Sequence, residues 1–326
     1  MAGAVTRARP APRANDAGDA ELTQQVLQGL SQRPKLLSPT YFYDARGSAL
    51  FELICRQPEY YLTRTELAIM RRHGAGIAQR IGPRALLLEL GSGASLKTRI
   101  LLDRLTDLAA YVPVDISRTS LGAAARSIRE SYPGLEVLPV EADFTRRFAV
   151  PAARGVAART IVYFPGSTIG NFDADPAVEL LALARDLAGP GGALIIGIDL
   201  VKDRELLLRA YDDAAGVTAA FNLNILARLN HELGANFDPL GFRHAAVWNE
   251  AASRIEMHLA SLKSQSVHLG GARIDFAAGE PLVTEHCHKY TESSFAALAS
   301  RAGWQVRASW SDERRFFSVL YLETRS

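Results

Sequence analysis

Three short stretches place glycines and carboxylates where a chain could hold a nucleotide-type cofactor. In LLLELGSGASLKT, residues 86–98, an apolar run meets Gly91-Ser92-Gly93 and then a helical pattern starting near Ser95. Glycines at such a turn let backbone pass close to a ligand, and a helix start offers free N–H groups. Glu89 precedes the loop, and Leu96-Lys97 stands where a dinucleotide fingerprint would carry its third glycine. About 20 residues on, the next run ends at Asp115 in VPVDIS, where a carboxylate can accept from ribose hydroxyls. A third run ends in Ala142-Asp143-Phe144, an acid and an aromatic suited to the edge and face of an adenine. Plainer roles stay open for each: a tight turn at Gly91 and Gly93, a helix N-cap at Asp115, a capping residue at Asp143.

A fourth stretch, TIVYFPGSTIGNFD over residues 160–173, starts as a strand and ends in Pro165, Gly166, Ser167, Thr168, Ile169, Gly170 and Asn171. Small residues at the end of a buried strand make room for a ligand. The Asn171 amide can accept from an ammonium or donate to a carboxylate, and it can equally close an Asx turn.

These loops need strands to deliver them. Ala85 to Leu90, Ala110 to Val114, Glu136 to Val140, Thr160 to Phe164 and Ala193 to Ile198 are continuous apolar runs, as strands buried on both faces of a parallel sheet are. Helices are predicted over residues 96–105, 120–131 and 175–187, the last stopped by Gly189-Pro190-Gly191-Gly192. Alternation of this kind predicts a doubly wound α/β sheet. Beyond Asp199, residues 205–233 read mostly as helix, residues 245–267 carry two apolar stretches, and two strands joined by a charged turn end the chain. The expected organisation is a disordered tail over 1–18, a cofactor-binding domain over 65–199 plus 288–326, and a smaller inserted substrate-binding domain over 19–64 plus 200–287.

The 326 residues carry a formal charge of +2 from 37 basic and 35 acidic groups. That balance argues against a nucleic-acid partner and gives anionic membranes no hold. Only Cys55 and Cys287 are present, which suits a reducing compartment rather than a disulfide framework. No secretory signal and no long apolar run is visible, so a cytoplasmic protein without a membrane span is expected.

Strands ending successively in Glu89-Leu90-Gly91, Asp115 and Asp143-Phe144 look like a class I S-adenosylmethionine-dependent methyltransferase, with its Rossmann-like sheet, more than a dehydrogenase. Longer stretches are more specific. PKLLSPTYFYDARGSALFELICRQPEYYLTRTE, ELGSGASLKTR, FPGSTIGNF, DLVKDRELLLRAYDDAAGVTAAFNLN and RIEMHL, in this order from about Pro34 onward, resemble the histidine-specific Nα-methyltransferases of ergothioneine biosynthesis. The resemblance implies a two-domain enzyme that methylates the α-amino group of L-histidine three times, to hercynine, using S-adenosylmethionine; a monomer is expected. By motif it implies cofactor contacts at Glu89, Gly91, Gly93, Lys97, Asp115, Asp143 and Phe144. It implies that Tyr60, Gly166, Asn171 and Tyr211 meet the amino acid's backbone end, as the catalytic set, and that Met257, Glu285 and Cys287 meet its side chain.

Residue chemistry fits those roles. Tyr60 offers a hydroxyl and a ring face to a growing cation, with core packing as its plainer role. Tyr211 can bond a carboxylate or lie on a helix surface. Alternation over residues 282–290 puts Glu285 and Cys287 on one face and His286 and His288 on the other. A carboxylate at Glu285 facing an imidazole N–H would favour histidine through a charge-assisted hydrogen bond; an ordinary salt bridge is its alternative. The family carries Ser where this chain has Cys287, and a thiol is the weaker hydrogen-bonding group. That face-to-face separation also argues against a metal at His286-Cys287-His288, and none is expected. The rival readings are the same scaffold acting on tryptophan, tyrosine or a histidine derivative, a silent cofactor-binding regulator, and a nucleic-acid methyltransferase.

Overall fold

The computed structural model describes residues 16–93 and 96–324. Most of the tail expected over 1–18 therefore lies outside the described residues, and a helix, Asp16–Leu30, begins within its last three positions. Ser95, the expected helix start, also lies outside them, and that helix is described over Leu96–Leu102.

The larger of two compact units comprises Leu50–Thr218, Ala246–Glu256 and His286–Ser326. Its sheet has seven strands: β1 (Ala85–Leu90), β2 (Leu108–Asp115), β3 (Val140–Glu141), β4 (Arg159–Phe164), β5 (Ala193–Asp199), β6 (Trp304–Ser311) and β7 (Phe317–Thr324). The spatial order is β6-β7-β5-β4-β1-β2-β3. Strands β1 to β5 are parallel, whereas β7 joins β5 antiparallel and pairs in turn with β6. All six residues of β1 and all seven of β5 are buried. Alternate side chains of β1 enter opposite layers: Leu86, Leu88 and Leu90 pack with Val112, Val162 and Ile196, while Ala85 and Leu87 pack with Tyr111, Ile161 and Ile195. Two-sided burial is why these strands read as unbroken apolar runs.

The chain leaves β1 towards β2 and leaves β4 towards β5, on opposite sides, so the sheet's topological switch point lies between β1 and β4. Ligands of open α/β sheets bind outside the carboxyl ends of the strands at that point. The weakest expectation was the third strand. Only Val140–Glu141 pairs regularly, with one further bridge between Tyr111 and Val137, because Pro139 has no N–H to give the ladder and belongs at an edge.

The smaller unit comprises the segment ending at Ala49 together with Ala219–Ala245 and Met257–Glu285. It holds residues 35–36, 242–245, 257–261 and 281–285 of a four-stranded sheet ordered Lys35–Leu36, Pro281–His288, Arg254–Ser261, Phe242–Asn249. A hairpin of Gln265–Leu269 and Ala272–Phe276 accompanies it. Phe42 stacks on Phe221 with centroids 4.5 Å apart, and buried Lys35 pairs with Glu280. The division falls at Ala49 rather than at residue 64, and helix Arg204–Tyr211 lies in the larger unit. The physical reason is packing rather than chain continuity, since the division falls inside helix Ala45–Ile54. Tyr61–Ile81 is one helix that packs Ile69, Met70, Ile77 and Ile81 on the large sheet.

Candidate active site

The β1 loop is held by its own sheet. Gly91 and Ser92 both donate their N–H to Val114 O, at 2.9 and 3.1 Å. Gly91 has φ +69° and Gly93 φ +46°, a region that favours glycine. A side chain at Gly91 would touch the Phe144 ring at 3.5 Å, so the glycine also clears the approach to that ring. Asp115, at the end of β2, ties two elements together. Its Oδ2 accepts from Gly93 N at 3.1 Å and its Oδ1 from Ser117 N at 2.9 Å. The helix cap itself is Ser117, whose side chain accepts from Ser120 N. Each carboxylate oxygen keeps a further lone pair for a ribose hydroxyl. Asp143 Oδ1 accepts from Thr145 N and Oγ1 at 2.9 and 2.6 Å, which is the local capping role. Phe144 packs edge-on to Phe164, centroids 5.5 Å apart. Glycine loop, acid and aromatic thus stand at the ends of neighbouring strands, a donor set that fits the nucleoside part of S-adenosylmethionine.

The β4 loop is anchored to a carboxylate that sequence reasoning did not single out. Glu66, 1% exposed, accepts from Gly166 N with both oxygens, at 3.1 and 3.0 Å, and pairs with Lys97 Nζ. Gly166 has φ +84°, and a Cβ there would lie 3.2 Å from the Lys97 ammonium. Asn171 ends the 3₁₀ turn Thr168–Asn171, half-buried. Gly170 is buried beneath the chain at His288, whose carbonyl oxygen would stand 2.8 Å from an added Cβ.

Glu89 is also buried, at 1% exposure. Its Oε2 accepts from Thr98 Oγ1 at 2.7 Å and from the Tyr111 hydroxyl. Burial pushes its carboxyl from the ordinary 4.5 up to about 7. The native state therefore holds this proton where the unfolded chain has released it. Stability from Glu89 is present below about pH 4.5 and is lost as pH rises through about 7, on the order of 3 kcal/mol in all. Glu89→Gln keeps an acceptor for both hydroxyls and removes the titration. Relative to wild type it should gain about that amount between pH 5 and pH 8 in urea unfolding; parallel stability profiles would contradict the assignment.

A second buried cluster surrounds Asp199, the last residue of β5, which is 0% exposed. The Tyr61 hydroxyl donates to Asp199 Oδ1 and Oδ2 at 2.9 and 2.8 Å, and both Lys202 and Lys289 pair with the same carboxylate. Lys289 Nζ also donates to Tyr211 Oη at 2.7 Å and to Cys287 Sγ at 3.1 Å, while Tyr211 Oη lies 2.7 Å from Cys287 Sγ. The Tyr60 ring stands edge-on to Tyr211 and to Phe51, 6.3 Å from each. Four expected backbone-end residues, Tyr60, Gly166, Asn171 and Tyr211, together with Cys287, thus belong to the unit that carries the glycine loop.

Met257 and Glu285 belong to the smaller unit. Met257 is 1% and Glu285 9% exposed. The strand beneath them is pinned by Thr284 Oγ1, which donates to Asn222 Oδ1 at 2.7 Å and to Met257 O at 3.0 Å. His286 and His288 reach the other way along their strand's alternation, to Asp173 Oδ1 at 3.3 and 2.9 Å, where Arg254 also binds at 2.7 Å.

The buried charges Glu66, Asp199, Lys202 and Lys289 were not singled out from the sequence, although LTRTE, DLVKD and HKY contain them. A charged residue inside an apolar or helical run was the available signal. A separate open cleft of about 490 Å³, lined by Tyr61, Arg64, Arg72, Arg314 and Phe316 among others, includes none of the loop residues above.

Residues 22–324 match the family described as histidine-specific methyltransferase, SAM-dependent. The chain is 44% identical over 311 residues to the histidine N-alpha-methyltransferase of Mycolicibacterium smegmatis, covering 94% of this chain and 96% of that protein. It is 42% identical to the enzyme of the same name from Mycobacterium tuberculosis, over 93% of this chain and 95% of that one. Ergothioneine biosynthesis protein 1 of Neurospora crassa is 27% identical over 90% of this chain, which spans 34% of that longer protein. With the family match over residues 22–324 and relatives 44% and 42% identical over nearly its whole length, the chain belongs to the histidine-specific, S-adenosylmethionine-dependent methyltransferases.

Proposed function

We propose that the protein transfers three methyl groups to the α-amino group of L-histidine, giving hercynine for ergothioneine biosynthesis. The observation that carries this reading is the meeting at Glu66. Lys97, from the helix after the glycine loop, and the Gly166 N–H, from the β4 loop, bind one buried carboxylate. The loop for the cofactor and the loop for the amine are thereby held in fixed register.

Bound S-adenosylmethionine supplies an activated methyl group with an excellent leaving group. What the chain must add is alignment of an uncharged amine, because catalytic advantage in such a displacement comes largely from orientation. In this reading Gly166 and Gly170 leave space for the amine and its accumulating methyl groups. Asn171 accepts from the amine or donates to the carboxylate. The Tyr60 hydroxyl and ring face accommodate the cation that grows with each transfer. The Tyr211 hydroxyl donates to the substrate carboxylate. Glu285 recognises the imidazole N–H, with Met257 and Cys287 completing the side-chain subsite. The reading extends to a monomeric, cytoplasmic enzyme of a small-molecule amino acid. In support, the charge is nearly balanced, Cys55 and Cys287 are free thiols, and no helix among the described residues is long and apolar enough to cross a membrane.

Purified protein incubated with S-adenosylmethionine and each proteinogenic amino acid, followed by mass detection, should add three methyl groups to histidine and leave apolar amino acids unmodified. Preferential methylation of tryptophan or tyrosine would transfer the activity to another substrate on the same scaffold.

A further inference from the structure

The Asp199 cluster carries more charge than its local pairing needs. Asp199 brings one negative charge, Lys202 and Lys289 bring two positive ones, and their side chains are 0%, 4% and 0% exposed; the Asp312 carboxylate, outside the cluster, acts on Lys202 and leaves Lys289 to share Asp199 alone. A surplus buried charge is costly unless something neutralises it. Burial pushes the Lys202 amine down to about 8, as expected where cations crowd. Lys289 responds differently: burial alone would lower its amine, yet Asp199 beside it holds it above the ordinary 10.5.

The Lys289 ammonium has three protons and three acceptors, Asp199 Oδ2 at 2.9 Å, Tyr211 Oη at 2.7 Å and Cys287 Sγ at 3.1 Å. Its backbone is fixed as well, since its N–H donates to Ser253 O at 2.8 Å and its carbonyl accepts from Ser253 Oγ at 3.0 Å. An ammonium has no lone pair to offer, so in the Lys289–Tyr211 contact the tyrosine oxygen must be the acceptor. The single phenolic proton then points away from Lys289; Cys287 Sγ lies 2.7 Å from the same oxygen. A donor bond received from a cation also polarises the hydroxyl and strengthens the bond it gives in turn. Lys202, by contrast, donates to Tyr61 at 2.7 Å.

We propose that Lys289 is a positioning residue for the substrate's α-carboxylate: it acts through Tyr211, whose proton it aims, and its charge is the one that the carboxylate neutralises. The proposal rests on the reading that Tyr211 meets that carboxylate. It adds a specificity rule. The site selects amino acids with a free carboxylate and rejects otherwise identical amides.

The probes are L-histidine and L-histidinamide, which share ring and amine and differ in the carboxylate. Wild-type protein should show a KM for histidinamide at least about tenfold above that for histidine, the scale of a hydrogen bond to a charged group. Lys289→Met, and Lys289→Gln, which keeps a donor without the charge, should raise the histidine KM about tenfold. Both should leave the histidinamide KM within about twofold, so that the ratio collapses. Lys202→Met removes the other cation of the same pair and should keep the wild-type ratio. Calorimetry with S-adenosylhomocysteine should show unchanged affinity in the Lys289 variants, which separates positioning from a damaged fold. A preserved ratio in both Lys289 variants overturns the proposal, as does an equal collapse in Lys202→Met. Should neither Lys289 variant fold, the wild-type ratio decides: near-equal KM values for acid and amide overturn it, and a tenfold gap supports it. A wild-type protein that methylates neither probe removes the functional reading itself before any variant is compared.

Discussion

Asn171→Ala is expected to lower kcat/KM for histidine by about a hundredfold to a thousandfold, with S-adenosylhomocysteine affinity unchanged within about twofold. The estimate has two parts. A hydrogen bond to a charged group contributes about 1.5–3 kcal/mol, or roughly tenfold to hundredfold. Loosening the amine's aim adds about tenfold more, a part of the hundredfold that a full displacement of about 1 Å can cost. The fold should tolerate the change. Asn171 ends a short 3₁₀ turn whose backbone is held independently, by Gly170 N donating to Ser167 O at 2.9 Å and Phe172 N donating to Ile169 O at 3.3 Å. Gly166 keeps its Glu66 anchor as well. Calorimetric titration with each ligand separately is the measurement. Equal losses for amino acid and cofactor analogue would mean that Asn171 shapes the loop rather than binds the substrate.

How much of this was legible in the sequence follows from how local each feature is. Strand β1 was readable residue for residue, and β4 and β5 nearly so, because burial on both faces writes a continuous apolar run. The long helical stretch over 205–233 was readable as helix, but its break was not weighted. The chain stops at Tyr211, turns through Gly216 at φ +71°, and restarts at Val217, where the Asp213 carboxylate accepts from Val217 N and Thr218 N at 2.9 and 2.7 Å. The strand expected over 136–140 shrank because a proline at an edge contributes no ladder donor. Of the site, the loops were legible because glycine and strand-end acids sit within a few residues of one another. The buried charges were not. Glu66 meets Gly166 across 100 residues of chain, and Lys289 meets Tyr211 across 78. No local pattern records such a pairing; only the sheet order brings them together.

Asp199→Ala should be the most damaging single change for stability. The substitution leaves Lys202 and Lys289 as two buried ammoniums without their shared counter-charge, and it removes the acceptor of the Tyr61 hydroxyl. Breaking a buried pair from one side costs about 3–5 kcal/mol, a large share of the roughly 5–15 kcal/mol that keeps a domain folded. The pH dependence gives an independent signature. Burial alone would raise the Asp199 carboxyl, but Lys289 and Lys202 hold it below the ordinary 3.8. Its stabilisation is therefore present above that value and is lost as pH falls below it, so wild type and Asp199→Ala should converge in strongly acidic solution. Charge imbalance, rather than lost packing, is the cause under test. Combining Asp199→Ala with Lys202→Met and Lys289→Met removes all three charges and should recover much of the stability, since apolar replacements of buried ion clusters are often neutral or better. A triple variant no more stable in urea than Asp199→Ala alone would show that the residue is needed for its shape and hydrogen bonds, not for its charge.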